Sequence, residues 1–174
     1  MQYKLALLAL VGSAVAAPAL KAREATAITG ALGNINTALQ GLDTSVKAFN
    51  GDAAQLGDIQ AKSTAVQKAI TDGTASVQAS QPITIGDALQ VQKSSTTLVT
   101  TIKSTVTDLT GKKAMLDQVQ ASPIVLMQLQ MQKQAAMGLQ TAVVSKVPAG
   151  LQNTAQSVSG QISAALDTGI QAFS

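Results

Sequence analysis

Aspartates provide nearly all the carboxyl side chains in this sequence, and carboxyl groups are its main candidates for acid–base chemistry. The 174 residues include no histidine and no cysteine, so a Ser-His-Asp triad, a Cys-His pair and thiolate metal ligation are all excluded. Glu24 is the single glutamate. The eight aspartates lie far apart along the chain, at Asp43, Asp52, Asp58, Asp72, Asp87, Asp108, Asp117 and Asp167. Because helix capping explains several of them, the sequence predicts no catalytic residue, no metal site and no cofactor.

A methionine-rich stretch suggests binding rather than catalysis. SPIVLMQLQMQKQAAM, residues 122–137, holds three of the chain's five methionines and interleaves them with glutamines. Projected as a helix at about 100° per residue, its apolar side chains sweep roughly 200°, and Gln128 and Gln132 fall inside that arc. Two interpretations stay open. Either the flexible thioethers fill gaps in an ordinary core, or they line a cavity for an acyl chain whose head group accepts a hydrogen bond from Gln128 or Gln132.

The cavity interpretation defines a set of candidate lipid-binding residues. Ser63 and Gly73 stand where the heptad pattern of the second helix favours large side chains, and their small size would leave room beside the apolar arc. The candidates on the methionine-rich helix are Ile124, Met127, Gln128, Leu129, Met131, Gln132, Ala135 and Leu139. The candidates on the helices expected to face it are Ser63, Val66, Ile102 and Val106.

Apolar residues recur at helical spacing along most of the chain, which predicts five helices. The first helix has a heptad stripe with alternating steps of four and three, made of Ile28, Leu32, Ile35, Leu39, Leu42, Val46 and Phe49. Asn50-Gly51, Pro82 and Pro148 interrupt the pattern, and Ser122-Pro123 predicts an N-cap followed by the first helical residue. The expected fold is all-α: an up-and-down bundle of four to five long helices without disulfides.

The composition agrees with a helical bundle and argues against a nucleic-acid partner. Two phenylalanines, one tyrosine and no tryptophan leave an aliphatic interior, which suits close-packed helices. The formal net charge is +3, with both signs scattered along the chain. Nucleic-acid binding usually needs clustered Lys and Arg, often beside stacking aromatics, and the sequence has neither. The oligomeric state stays open.

The N-terminus has the pattern of a secretory signal peptide. Lys4 precedes a short apolar run, Leu5 to Val11, and small residues follow at positions 14–17. The expected organisation is a signal peptide over 1–17, a short N-terminal or pro-segment over 18–27 and a single helical-bundle domain over 28–174. No later run is long and apolar enough to predict a membrane span. We therefore expect a secreted protein, with non-covalent association with a cell wall as a further possibility.

A family resemblance is carried by the segment GKKAMLDQVQASPIVLMQLQMQKQAAMGLQTAVVSKVPAGLQ, Gly111 to Gln152, and by the later ALDTGIQAFS. The most recognisable words are SPIVL, QKQAA and KVPAGLQ. In their order and spacing the chain resembles the fungal hydrophobic surface-binding protein A family, which includes cell-wall galactomannoproteins. The resemblance covers about Ile28 to Phe173. It implies a secreted or wall-associated, non-enzymatic helical bundle that binds hydrophobic surfaces, or fatty acids between its helices.

Three functional hypotheses follow. The leading one is a secreted, non-enzymatic protein that holds a fatty acid or similar lipid in an apolar cavity between helices. The alternative is an adsorbing protein that coats wax, polyester or hydrophobic cell surfaces, with the bundle opening to lay its apolar stripes on them. The third, a hydrolase with an acidic dyad, is disfavoured by the scattered aspartates.

Overall fold

A computed structural model describes the backbone of residues 16–174 and the side chains of residues 25–174. The expected signal peptide, apart from its last two residues, lies outside this range. The expected pro-segment, 18–27, is helical and continuous with the first helix. The boundaries at 17 and 27 remain predictions from the sequence. Among the helices of the described residues, none combines the length and the apolar character that a bilayer crossing requires.

The described part of the chain forms five long helices and one short helix, without strands, which confirms the all-α prediction. The helices are α1 (Ala16–Ala48), α2 (Leu56–Ala79), α3 (Ile85–Gly111), α4 (Lys113–Gln118), α5 (Ser122–Lys146) and α6 (Gln152–Phe173). Short 3-10 turns, Ala53–Gln55 and Ala149–Leu151, precede α2 and α6. Every member of the heptad stripe expected on α1 is buried.

Local side-chain chemistry accounts for several helix ends. Gly51 has a φ of +96°, the left-handed conformation expected after α1. Thr84 caps α3, because its Oγ1 accepts a hydrogen bond from the Asp87 N–H at 3.2 Å. The expected N-cap of α5 is wrong by one residue. Ala121 occupies that position, while the Ser122 hydroxyl turns back to donate a hydrogen bond to the Asp117 carboxylate.

The five long helices form a closed ring in the order α2, α1, α3, α6, α5 and back to α2. Each helix packs mainly on its two neighbours in this order. For helix axes about 9 Å apart, a ring of five places each axis roughly 8 Å from the centre, against about 6 Å for a ring of four. A five-helix ring therefore has a wider interior, and side chains of modest size fill it less completely.

One end of the ring is closed by α4 and by the two phenylalanines of the chain. Phe49, at the end of α1, and Leu116, on α4, are almost completely buried, and Phe173 at the end of α6 is buried with them. The Lys112 ammonium donates a hydrogen bond to the Phe49 carbonyl at 2.7 Å. The Lys113 ammonium lies 5.6 Å from the centroid of the Phe173 ring. We call this end the closed end.

We call the opposite end the portal end. Lys146 joins α5 to the end of α2, because its Nζ donates hydrogen bonds to the carbonyls of Ser80 at 2.5 Å and Gln78 at 3.0 Å. The first half of α6, residues 152–161, contributes no fully buried side chain. Full burial on α6 begins at Ile162. The first turns of α6 are therefore held less firmly than the rest of the ring.

Candidate functional site

Three cavities lie in a row inside the ring. The portal cavity has a volume of about 50 Å³, the central cavity about 40 Å³ and the distal cavity about 20 Å³. Four residues line both the portal and the central cavity: Leu98, Leu139, Gln140 and Ile162. Gln132 lines both the central and the distal cavity. The shared wall residues place the three cavities next to one another along the ring, and we call them together the lumen.

The sequence positions of the wall residues establish the order of the cavities along the bundle. On α5, Val143 lines the portal cavity, Ala136 the central cavity and Val125 the distal cavity. Val147, directly after α5, also lines the portal cavity. From the portal cavity to the distal cavity, the numbers of the wall residues rise on α1 and α3, and they fall on α2 and α5. Consecutive long helices thus alternate in direction, as the up-and-down prediction requires.

The lumen is apolar and uncharged. None of the residues lining its three cavities, all within the described part of the chain, carries a charge. Polar groups cluster in the portal cavity, where Gln92, Ser95, Gln140, Thr154 and Ser159 contribute to the walls. The Gln140 Nε2 donates a hydrogen bond to the Ser159 carbonyl at 3.1 Å, which links α5 to the first half of α6.

One buried polar contact crosses from α5 to α2 deeper in the lumen. The Gln132 Nε2 donates a hydrogen bond to the Ser63 Oγ at 3.0 Å. The two residues are only 6% and 4% exposed. Buried polar groups need a partner because an unsatisfied one costs about 1–3 kcal/mol. The contact therefore helps to fix the distance between α5 and α2 at this level.

The structure brings most of the sequence-predicted site residues to the lumen. Those that line the central or the distal cavity are Ser63, Val66, Ile102, Gln128, Leu129, Gln132 and Leu139. Val106 is buried in the core without forming a cavity wall, and Ala135 is half-buried against the core. Sequence reasoning missed the portal cavity, whose walls include Val91 and Val158. Their apolar spacing was visible, but nothing in the sequence indicated that α3 and α6 are neighbours.

The inward placement expected for the methionines is wrong. Met127 and Met131 are 52% and 45% exposed, and Ile124 is 38% exposed. The buried stripe of α5 is centred about 140° around the helix from these methionines, at the other edge of the broad apolar arc. A pattern so wide does not define its own inward direction. The neighbours α2 and α6 decide it, and the methionines fall on the side left to solvent.

The room expected beside Gly73 is not part of the lumen. Gly73 is buried on α2, and a Cβ at this position would come within 3.2 Å of Ile35 Cδ1 and 3.4 Å of Ala31 Cβ. The glycine lets α1 and α2 approach each other, and it also lines an open groove between these two helices that shares no residue with the three cavities of the lumen. Ser63, the other small residue, does line the distal cavity.

The titratable groups that interact most strongly lie outside the lumen. Hydrogen bonds from the Ser122 hydroxyl and the Lys113 ammonium lower the pKa of Asp117. A hydrogen bond to Asp43 raises the pKa of Lys47, with the two charged atoms 2.6 Å apart. Both pairs join neighbouring turns at the surface. In residues 25–174, no group of three acidic side chains is arranged to hold a metal ion.

A ring of helices around an uncharged apolar lumen is the architecture of an all-α protein with its ligand space between the helices. More particularly, the chain belongs to the hydrophobic surface binding protein A family, whose sequence model matches residues 25–145. This confirms the family resemblance of the sequence.

Known relatives agree in sequence and in fold. The chain is 31% identical over 166 residues to cell wall mannoprotein 1 of Aspergillus flavus; the match covers 95% of this chain and 60% of that protein. Ligand binding domain 1 of the Penicillium marneffei MP1 protein, solved with arachidonic acids, has a TM-score of 0.84 and 30% identity, covering 87% of this chain and 99% of the domain. AfMP4P, solved with palmitic acid, has a TM-score of 0.83 and 25% identity, covering 86% and 99%.

Proposed function

We propose that this protein is a non-enzymatic carrier that holds a fatty acid in the lumen of its helical ring. The observation that carries the proposal is the lumen itself, which is apolar and free of charged side chains over three adjoining cavities. Burial of an acyl chain in such a space contributes about 0.8 kcal/mol per methylene. The similar folds solved with arachidonic and palmitic acid support the same ligand class.

The carboxylate of the ligand stays at the portal end. An ionised carboxylate buried without a cation is strongly unfavourable, and the walls of the lumen provide no cation. At the portal the head group reaches water, and the side chains of Gln140, Thr154 and Ser159 provide hydrogen-bonding groups nearby. The acyl chain then points toward the closed end.

Binding requires the ring to widen. Each cavity is smaller than the roughly 150 Å³ that holds a benzene molecule in an engineered protein core. The first half of α6 is the element best suited to move, because it has no fully buried side chain. The Gln140–Ser159 hydrogen bond, which ties it to α5, would have to break. We therefore assign ligand access to the gap between α5 and the first half of α6.

The test is native mass spectrometry of delipidated protein titrated with palmitate. We expect a 1:1 adduct. Leu139→Gln puts a polar amide into the wall shared by the portal and central cavities and should weaken the adduct, whereas Met131→Gln makes the same kind of change on the exposed face and should leave it intact. Absence of any adduct with the unaltered protein would refute the proposal.

The location of the protein is part of the same proposal. The matched relative is named a cell wall mannoprotein, and this chain spans about 60% of its length. We propose that this protein too is secreted and associates with the wall without a covalent bond. Extraction of intact cell walls with salt and mild detergent should release it, and retention until wall glycans are digested would contradict non-covalent association.

The exposed methionines favour one alternative function, adsorption to hydrophobic surfaces. Ile124, Met127 and Met131 follow one another at spacings of three and four, so they form an exposed apolar row along α5. Adsorption through this row should fall in Met127→Gln/Met131→Gln while palmitate binding persists. If adsorption instead requires the ring to open, an engineered disulfide between α5 and α6 should abolish it. A quartz-crystal microbalance with an alkyl-coated surface measures both effects.

A further inference from the structure

We propose that the Gln132–Ser63 contact is the floor of the ligand lumen and sets the longest acyl chain that the protein holds. This inference rests on the proposed function, since it concerns the ligand of the same lumen. It adds a specificity-determining pair, one residue from α5 and one from α2, and a chain-length class. The class is saturated acyl chains of up to about 18 carbons, a length set by the helix rise and the C–C bond length.

The position of the pair supports this assignment. Gln132 is the wall residue shared by the central and the distal cavity, and Ser63 lines only the distal one. One turn nearer the portal on each helix, Val66 and Ala136 line only the central cavity. The hydrogen bond between Gln132 and Ser63 therefore joins two neighbouring helices at the boundary between the two cavities, where the Gln132 side chain lines both.

A hydrocarbon chain has a physical reason to stop at this boundary. To pass it, the chain would have to displace the Gln132 amide from Ser63, and both groups are buried. An unsatisfied buried polar group is unfavourable, and a methylene does not form a hydrogen bond. On α1, the wall residues on either side of the pair, Leu39 before it and Leu42 after it, are apolar.

The distance from the portal to the pair gives the chain length. Val147, the first residue after α5, is fifteen positions from Gln132, which corresponds to about 22 Å at 1.5 Å per residue. A C–C bond of about 1.5 Å advances an extended zigzag chain by about 1.25 Å, so about 18 carbons fill that length. From Gln132 to Val125 the distal cavity adds roughly 10 Å, or about 8 carbons.

The experiment is a competition for the lumen. Delipidated protein is equilibrated with an equimolar mixture of saturated fatty acids of about 12 to 26 carbons, and the bound species are quantified by native mass spectrometry. Each added methylene raises affinity about fourfold while it is buried. We expect occupancy to rise up to about 18 carbons and then to level off or fall. In Gln132→Ala, occupancy should go on rising, toward about 26 carbons.

Matched variants separate the floor from a general change in cavity size. Leu139→Ala shortens a wall side chain and so enlarges the lumen on the portal side of the pair; it should keep the chain-length limit near 18 carbons. Gln132→Ala/Ser63→Leu closes the same boundary from α2 and should restore that limit. Ala136→Leu fills the central cavity one turn nearer the portal and should shorten the limit by about five carbons; it adds volume, so it remains informative if Gln132→Ala does not fold.

The outcomes distinguish this inference from the proposed function. If the unaltered protein binds palmitate and Gln132→Ala keeps the same limit, or if Ala136→Leu leaves the limit unchanged, the floor is not at this pair, while fatty-acid binding stands. If the unaltered protein binds none of the acids, the proposed function fails and the floor with it. A limit that moves in Gln132→Ala and also in Leu139→Ala would assign chain length to total volume and overturn the role of the pair.

Discussion

Gly169 on α6 lies directly against Val106 on α3, so that a Cβ at position 169 would stand 3.2 Å from Val106 Cγ1. The same Cβ would meet Leu129 Cδ1 of α5 at 3.2 Å. A glycine inside a helix lowers its stability by about 0.5–1 kcal/mol relative to alanine. Here the missing side chain lets α6 pack between α3 and α5, on the side of the central cavity that faces the closed end.

Gly169→Ala should therefore destabilise the protein by roughly 1 kcal/mol, because overpacking against two branched side chains outweighs the gain in helix propensity. Gly160 is the matched control, since it lies in the same helix and a Cβ there meets nothing within 4 Å. Gly160→Ala should stabilise the protein by up to about 1 kcal/mol. Urea unfolding followed by circular dichroism gives both values. Equal stabilisation by the two substitutions would show that the α3–α6–α5 contact is not crowded.

Lys146 should contribute to stability at the portal end. Its Nζ donates to two carbonyls at the end of α2, and Lys146→Met keeps much of the apolar stem while removing both hydrogen bonds. We expect a loss of about 1–3 kcal/mol in the free energy of unfolding. Faster amide hydrogen exchange in residues 76–80 should accompany it. Lys103→Met, on the exposed side of α3, serves as the control and should change stability by less than about 0.5 kcal/mol.

Gln140 should control how readily α6 opens. Gln140→Leu removes the hydrogen bond to the Ser159 carbonyl and keeps the size of the side chain. Amide exchange in residues 152–161 should accelerate, and bound palmitate should dissociate several-fold faster, since a neutral hydrogen bond contributes about 1 kcal/mol. Gln134→Leu changes an exposed glutamine of the same helix. If the two variants release palmitate at the same rate, access does not run between α5 and α6.

The acid side of the stability profile should depend on Asp117. The Ser122 hydroxyl, and next the Lys113 ammonium, lower the pKa of this carboxyl below its ordinary value of 3.8 in the folded protein. The contacts of the ionised Asp117 carboxylate therefore stabilise the fold at a pH above its ordinary pKa. This stabilisation is lost as the pH falls through the lower pKa of the folded state. NMR titration of the Asp117 carboxyl carbon should show that Ser122→Ala raises the pKa of Asp117 more than Lys113→Met does. The reverse order would contradict the assignment of the hydroxyl as the main cause.

Much of the fold follows from the sequence because local signals and the apolar period agree. The stripe on α1 keeps a strict spacing of four and three from Ile28 to Phe49, so only one face of that helix can be buried, and all seven residues are. The breaks at Gly51 and Pro82 fall between helices because a left-handed residue and a missing N–H each end a helix.

The methionine-rich helix marks where sequence reasoning loses precision. Its apolar residues surround most of the circumference, so the projection admits more than one inward direction. The projection predicts inward positions for Gln132, Met127 and Met131. Gln132 is buried against Ser63, whereas the two methionines are exposed.

The sequence by itself determined the class of the protein: an all-helical chain without the side chains of common catalysis, with an aliphatic interior and helix ends set by glycine, proline and capping residues. Only the tertiary structure decided that the five long helices close into a ring in the order α2, α1, α3, α6, α5. That order depends on contacts between residues far apart in the chain, such as Gln132 with Ser63. Helical periodicity is a property of one helix at a time, so it does not contain the identity of the neighbour, and the lumen exists only between neighbours.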